Sequence, residues 1–352
     1  MKTKGNIEDE FYVYSIKPHR DTGKNFFIIS QDVTKNMELY LASPALSMTY
    51  KGTTMTDVVS HSPIFEDLGK YDAAALLRKP MICIWEETEA QELGFNGDKR
   101  KADQYYSRKS LRYSDLAMLF SLATWFVKDC SVYSDLCYQY NTDIDYSVKS
   151  RRSFQQTNAV GEMQLTFFDE EEINMALKYL LLLMEIAFSN MDRNEQIGSV
   201  YSQETLILNV ETAINNNGDS FSRILILLQL ARKTGFLVEK ISWYCVLLEC
   251  LFNIERDHKK NISEMTSSFI AENQKEKEEI AQNMRLAYKV RSEFVHGNVI
   301  GLFEKHEQMV LLSGKVDEYV RRALRKAFID RNFNYRNTPA DKKRVRNYFG
   351  NM

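Results

Sequence analysis

Arg291 and His296 stand in the segment Leu286-Ala-Tyr-Lys-Val-Arg-Ser-Glu-Phe-Val-His-Gly297. An arginine keeps its charge and presents a rigid fork of donors, suited to clamping the oxygens of a phosphorane. A histidine titrates near neutrality and can carry a proton. The spacing alone selects no reaction; His296 can carry a proton, whereas Arg291 is a poor base. Ser292 directly follows the arginine and joins the candidate catalytic set, and Lys289 is a candidate phosphate contact.

On a helical wheel at about 100° per residue, Met284, Ala287, Tyr288, Val290, Phe294 and Val295 fill one apolar arc. Arg291 falls inside it, where a guanidinium needs a partner or a cleft. His296 lies about 140° from Arg291 on the same wheel, off the apolar face, with Ser292 beside it. The two side chains therefore do not converge on an ideal helix. Either the helix distorts between Phe294 and Gly297, or a second protomer completes the site. Gly297 suits a helix C-cap, and the macrodipole favours a protonated histidine in the last turn, as a general acid requires. The plainer alternatives are a structural Arg291 paired with a core-edge carboxylate such as Glu249, and a His296 that is only a helix-end cation.

The wider context adds a family. Tyr288-Lys-Val-Arg-Ser-Glu-Phe-Val-His-Gly297 resembles the Y-x-[apolar]-R-[SN]-x-[apolar]-[apolar]-H-G signature of Apea-like HEPN domains. Upstream, Trp243-Tyr-Cys-Val-Leu-Leu-Glu-Cys-Leu-Phe252 is similar to that family's L-E-x-L-F helix, and the charged interval 253–283 matches its layout. The resemblance covers about 220–335. It implies an all-α module, commonly dimeric and often a metal-independent endoribonuclease, of the kind found in antiviral defence, toxin–antitoxin pairs and stress responses. The family's R-x4-6-H motif falls on Arg291 and His296, which implies RNA cleavage with the RNA's own 2′-OH as nucleophile, His296 in one of the two proton transfers and Arg291 as the clamp on the phosphorane oxygens. Ser292 departs from the Asn, Asp or His frequent after that arginine in active members. The alternative is a non-catalytic module that binds RNA or nucleotide, or scaffolds a dimer.

The end of the chain is basic. Residues 321–352 carry a net charge of +8, against −10 for residues 1–320. Lys342, Lys343, Arg344 and Arg346 cluster there, interleaved with Phe328, Phe333, Tyr335, Tyr348 and Phe349. Cations with aromatics suit single-stranded RNA, by phosphate neutralisation and base stacking. A solvated tail or a docking segment for an acidic partner is the bland reading.

Other chemistry finds no support. There is no phosphate-cradling glycine loop, no HExxH and no Gly-x-Ser-x-Gly elbow. The five histidines show no metal-ligand spacing on one helix, and the five cysteines form no CxxC, as expected of reduced thiols. Asp143-x-Asp145 reads as a turn pair. No cofactor or metal is expected. The start of the chain has no apolar core of a secretory signal, and no apolar stretch reaches the roughly 18 residues of a membrane span. A cytoplasmic protein is expected, with RNA, a second copy of itself and an antitoxin or activating chain as partners.

The elements that must hold the site are mostly helical. Gly and Pro total 19 of 352 residues while 44% are apolar, which disfavours sandwiches and linkers. Residues 1–165 read as an α+β sensing or regulatory region, 166–335 as an all-α HEPN-like bundle, and 336–352 as a basic tail. Phe11–Ile16 and Phe26–Ile29 look like a hairpin pair, with Glu38–Leu41 and Met81–Trp85 as further strands. Residues 95–107 read as a loop, 138–158 as irregular and Glu162–Phe168 as a final strand. Helices are expected from Ser114 to Val127, from Ile173 to Phe188 behind the acidic run Asp169–Glu172, and over about 202–216, 220–233, 237–254, 276–297 and 314–329. The helix from Ile173 is apolar nearly all round and should be buried.

Overall fold

Apolar residues at helical spacing put most of the described chain into helices. A computed structural model of the chain describes residues 11–14, 17–18, 26–30, 37–42, 49–50, 53–78, 81–86, 98–133, 137–141, 146–150, 156–189, 220–301, 306–329, 343–345 and 347–348. The helix expected over 202–216 and the pair Asp143 and Asp145 lie outside these residues.

The first strands are β1 (Phe11–Tyr14), β2 (Lys17–Pro18), β3 (Phe26–Ser30), β4 (Met37–Ala42), β5 (Thr49–Tyr50), β6 (Thr53–Thr54) and β7 (Met81–Glu86). Four of them form an antiparallel sheet in the order β1-β7-β4-β3. The expected hairpin of Phe11–Ile16 with Phe26–Ile29 does not form. Phe11 faces Ile84 and Phe26 faces Ala42, so the two runs are opposite edges. The β-branched, apolar run of β7 takes a central place with two neighbours instead. Lys17–Pro18 pairs in parallel with β10 (Phe167–Phe168). Of the strand expected over Glu162–Phe168, only these two residues are extended in a ladder. Helices α1 (Met55–Ser60) and α2 (Ser62–Arg78) precede β7, and α2 breaks at Gly69, whose φ is 74°.

Helix α3 runs from Lys99 to Val127, so it begins well before Ser114. The residues read as a loop contain its cap: the Asp98 carboxylate accepts from the backbone N–H of Arg100 at 3.0 Å and of Lys101 at 3.4 Å. The region read as irregular holds a hairpin, β8 (Cys137–Asn141) with β9 (Tyr146–Ser150). Gln139 is buried together with Tyr138 and Tyr140, so both faces of the strand are covered.

Helix α4 (Glu170–Ser189) starts in a capping box. Asp169 Oδ1 accepts from the Glu172 N–H at 2.9 Å, and Glu172 Oε2 accepts from the Asp169 N–H at 3.0 Å. Lys128 donates to the same Glu172 carboxylate at 2.5 Å. The acidic run is thus a helix start. The helix is not buried all round: Ile173, Ala176, Leu177, Leu180 and Leu183 face the core while Met175 and Leu181 are exposed.

The remaining helices are α5 (Ser220–Lys233), α6 (Leu237–Phe252), α7 (His258–Ile270), α8 (Gln274–Val295) and α9 (His306–Ile329). Their buried faces share one apolar core with α4 and with the second half of α3, from Leu116 to Phe126. That core crosses the expected boundary near residue 165 without a break. Polar contacts cross it too. Thr157 Oγ1 donates to the carbonyl of Thr234 at 2.7 Å, and Ser313 Oγ donates to that of Ala159 at 2.6 Å. Arg325 donates to the carbonyls of Phe126 and Val127, closing the end of α3. Gly161 has φ 81° and lies so close to Gly235 that a Cβ would fall 2.3 Å from the Gly235 carbonyl oxygen, so only glycine fits this crossing.

A buried polar cluster sits where α3, α5, α6 and α9 meet. Asp317 is fully buried and accepts from Trp125 Nε1 at 3.0 Å, Tyr244 Oη at 2.5 Å and Arg321 Nη1 at 2.7 Å. The guanidiniums of Arg232 and Arg321 lie 5.4 and 5.3 Å from the Trp125 ring centroid. Buried Arg232 also donates to Gln156 Oε1 at 2.8 Å and to the Cys130 carbonyl at 2.7 Å.

Lys240 is buried beside this cluster and donates to the Ala231 carbonyl at 2.8 Å. Burial, reinforced by Arg232 and only partly opposed by Asp317 and Asp129, lowers its pKa to about 7. In the unfolded chain the amine keeps its ordinary value near 10.4. Below about pH 7 both states hold the proton and the full cost of a buried ammonium is present. Above it, the unfolded state binds more protons, so this group makes stability rise with pH. The buried thiols act oppositely, because burial raises Cys130 and Cys245, but their unfolded forms titrate only from about pH 8.5. Between pH 7 and 8, wild-type stability is therefore expected to gain up to about 1.4 kcal/mol relative to Lys240→Met. Urea titrations of both proteins at pH 7.0 and 8.0 check this; parallel behaviour would contradict it.

Cys130, Cys245 and Cys250 are free thiols. Among the described residues, no helix is long and apolar enough to cross a membrane.

Candidate functional site

The site is assembled by three helices. Helix α6 brings Glu249 in its last turn, and ends with Asn253 in the left-handed region at φ 52°. The Ile254 N–H returns to the Glu249 carbonyl at 2.9 Å, closing the turn. Asp257 is left-handed as well, at φ 47°. Asn and Asp tolerate this region better than other non-glycine residues. The two residues reverse the chain sharply, so α7 starts at His258 directly beside Glu249.

Helix α8 supplies the motif residues. Its N-cap is Asn273, whose side chain accepts from the Glu276 N–H at 3.0 Å. Ile280, Ala281, Met284, Ala287 and Val290 seat one face in the core. That face turns Arg291 toward α6. Its side chain is half-buried, with Nη2 3.6 Å from Glu249 Oε2 and Nη1 3.4 Å from the Tyr288 hydroxyl. The guanidinium lies 5.3 Å from the Tyr288 ring centroid. Burial raises the pKa of Tyr288, against the pull of the arginine, so the phenol is the neutral hydroxyl. The pairing with Glu249 is one of the two arrangements open to an arginine on this face.

Glu249 has a second neighbour. Its Oε1 is 3.2 Å from His258 Nδ1. This is ion-pair range without hydrogen-bond alignment: Glu249 Oε1, His258 Nδ1 and Arg291 Nε are all buried and lack a hydrogen-bond partner. Burial also drives the Cys245 thiol well up, with Glu249 adding to the effect, so this sulfur is no nucleophile.

His296 is the C-cap of α8 and is exposed. The helix does not distort before it. The His296 N–H reaches the Ser292 carbonyl at 3.1 Å, Gly297 donates to Phe294 at 3.2 Å and Asn298 donates to Glu293 at 2.8 Å. With Gly297 at φ 69°, this is a Schellman ending. The distortion expected over Phe294–Gly297 is therefore absent, and Arg291 and His296 remain about 7.5 Å apart along the helix axis. Phe294 and Val295, assigned to the apolar arc, are 39% and 58% exposed, because among the described residues no element covers the last turn. Phe294 meets the ring of Phe236 edge-on at 6.2 Å, and Val299 beyond the cap is also exposed.

The other expected site residues are dispersed. Ser292 is half-buried, one residue on from Arg291. Lys289 is exposed and 3.6 Å from Glu293 on its own helix. Lys343 and Arg344 are exposed, but residues 343–345 and 347–348 are helical rather than a loose tail. Val345 is buried and Tyr348 packs edge-on against Phe269 at 6.1 Å, because these two residues share a helical face. Phe269 lies at the far end of α7 from His258, about 16 Å along its axis, so this basic segment is not beside Arg291 in the same chain. Lys342 and Arg346 lie outside the described residues. Among those residues, no group of His, Cys, Asp or Glu could hold a metal ion.

No protein-family model matches the chain, and neither the curated proteins nor the solved structures contain a match to it.

Proposed function

We propose that the chain is a metal-independent endoribonuclease of the HEPN type, acting in the cytoplasm in antiviral defence or as a toxin. The observation that carries this reading is the placement of Arg291 and His296 on α8. A half-buried guanidinium is positioned by Tyr288 and Glu249, and an exposed histidine closes the same helix. In the reaction, O2′ attacks the adjacent phosphorus while its proton is withdrawn. The P–O5′ bond breaks, His296 gives its proton to O5′, and Arg291 holds the equatorial oxygens. The products are a 2′,3′-cyclic phosphate and a 5′-hydroxyl.

A homodimer fits this reading. The regular end of α8 does not bring His296 to Arg291, and exposed Phe294, Val295 and Val299 beside His296 offer apolar surface to a second copy. The region before 165 would carry sensing or regulation, and the basic residues Lys343 and Arg344 would guide RNA.

One observation favours the non-catalytic alternative: Glu249 already balances the Arg291 charge. Total RNA and a short labelled strand, incubated in excess EDTA, separate the two. The ribonuclease cuts both and leaves cyclic phosphate ends. Cutting that needs added divalent metal and survives His296→Ala overturns it. Where no RNA is cut in vitro, growth arrest by the wild type but not by His296→Ala marks a nuclease awaiting its activator.

A further inference from the structure

The reaction proposed above has a donor for the leaving oxygen but no group to take the 2′-OH proton. We propose that His258 is that general base, with Glu249 as its positioning residue. The inference rests on the ribonuclease reading and assigns its missing role.

The geometry is that of a carboxylate–imidazole pair. Glu249 Oε1 faces His258 Nδ1 at 3.2 Å, while Oε2 of the same carboxylate faces Arg291. The contact is not aligned as a hydrogen bond; alignment on substrate binding would place the proton on Nδ1 and leave the Nε2 lone pair as the base. Nδ1 is fully buried, yet the His258 side chain as a whole is 39% exposed. The ring is thus anchored at Nδ1 and open to solvent elsewhere, which leaves room for a substrate.

The surroundings suit a phosphodiester. Arg256, Lys259 and Lys260 are exposed next to His258 in the chain and outnumber the exposed Glu255 and Asp257. The first turn of α7 has no side-chain cap, so its backbone N–H groups add positive potential at the same place. Arg291 Nε and Glu249 Oε1 are buried without a hydrogen-bond partner and so keep capacity for a ligand. In-line displacement needs the base and the acid on opposite sides of phosphorus. His258 shares Glu249 with Arg291 within one chain, whereas His296, about 7.5 Å further along α8, would come from the second copy of the proposed dimer.

The step balances without a co-reactant. The 2′-OH proton passes to His258 Nε2 as the O2′–P bond forms. The P–O5′ bond breaks, and its electron pair takes the proton of His296. Bulk water then returns His258 to its neutral form and His296 to its protonated form.

The full chain is tested as wild type, His258→Gln, Glu249→Gln and His296→Ala on two substrates in EDTA. One is a labelled RNA strand. The other is uridine 3′-(p-nitrophenyl phosphate), whose phenolate leaves without a proton. On RNA, His258→Gln and His296→Ala are each expected to lose about 10²–10⁴-fold. On the p-nitrophenyl ester, His296→Ala recovers most of its loss and His258→Gln does not. Glu249→Gln is expected to lose about 10-fold or more and to shift the acidic limb of the pH–rate profile, which a packing role would not move. Far-ultraviolet spectra and melting curves establish that each variant is folded. The proposal is overturned if folded His258→Gln cuts RNA like the wild type, or if the ester rescues it as fully as His296→Ala. Either result leaves the ribonuclease reading standing. A wild type that cuts neither substrate, in any cell extract, removes both.

Discussion

His296→Ala is expected to reduce RNA cleavage by about 10²–10⁴-fold, the usual contribution of a positioned proton donor. Its fold should survive intact. The side chain is exposed, and the Schellman ending that surrounds it is built from backbone groups and Gly297. Melting temperature is thus expected to stay within a degree or two of the wild type, which separates loss of chemistry from loss of structure. Arg291→Ala should cost a similar factor on activity, about 10²–10³-fold. Here the fold pays as well, since Glu249 loses the partner at its Oε2. Arg291→Lys keeps the charge but loses the fork, so it should restore stability more than activity. Single-turnover cleavage assays beside melting curves check all three. Equal activity of His296→Ala and wild type would contradict the role given to the histidine.

The largest effect on stability is expected at Asp317. Its carboxylate takes hydrogen bonds from Trp125, Tyr244 and Arg321, which belong to α3, α6 and α9. Asp317→Ala strands a phenol, an indole N–H and a guanidinium in a dry core. A loss of about 3–5 kcal/mol is expected, as for breaking one side of a buried ion pair. Asp317→Asn keeps one acceptor oxygen and should lose less, although its amide hydrogens would confront one of the former donors. Urea denaturation of the purified proteins measures the difference. Since α3 precedes the expected boundary at 165, the same substitution should loosen both sides of it together. Limited proteolysis would then cut near 128–133 and near 156–166 in the variant at concentrations that spare the wild type. A loss below about 1 kcal/mol would mean that the cluster is not a structural link.

Much of the site's setting was legible in the sequence, and the parts that were not have physical causes. The core face of α8 follows from apolar spacing, and Glu249 is an evident core-edge partner for a guanidinium on that face. His258 was missed because its relation to Arg291 runs through a tight reversal. That reversal depends on left-handed Asn253 and Asp257, and a left-handed conformation leaves no periodic mark. The available signal was weak: an Asn and an Asp spaced across a short connection, just before a histidine. The wheel position of Phe294 and Val295 follows from residue type and carries no information on whether a neighbour covers them. The early start of α3 was hidden because Asp98, its cap, stands in an Asn-Gly-Asp sequence that also suits a turn. The sheet order eludes local reading because β1 pairs with β7 across about 70 residues of sequence.

The central claim is that this protein cuts RNA with the RNA's own 2′-OH as nucleophile. The most direct measurement compares a labelled RNA strand with the same strand carrying 2′-deoxy sugars throughout, both in excess EDTA. The account predicts that the RNA is cut to 2′,3′-cyclic phosphate ends and that the deoxy strand is untouched. Cleavage of the deoxy strand, or RNA products ending in a plain 3′-hydroxyl, would contradict it.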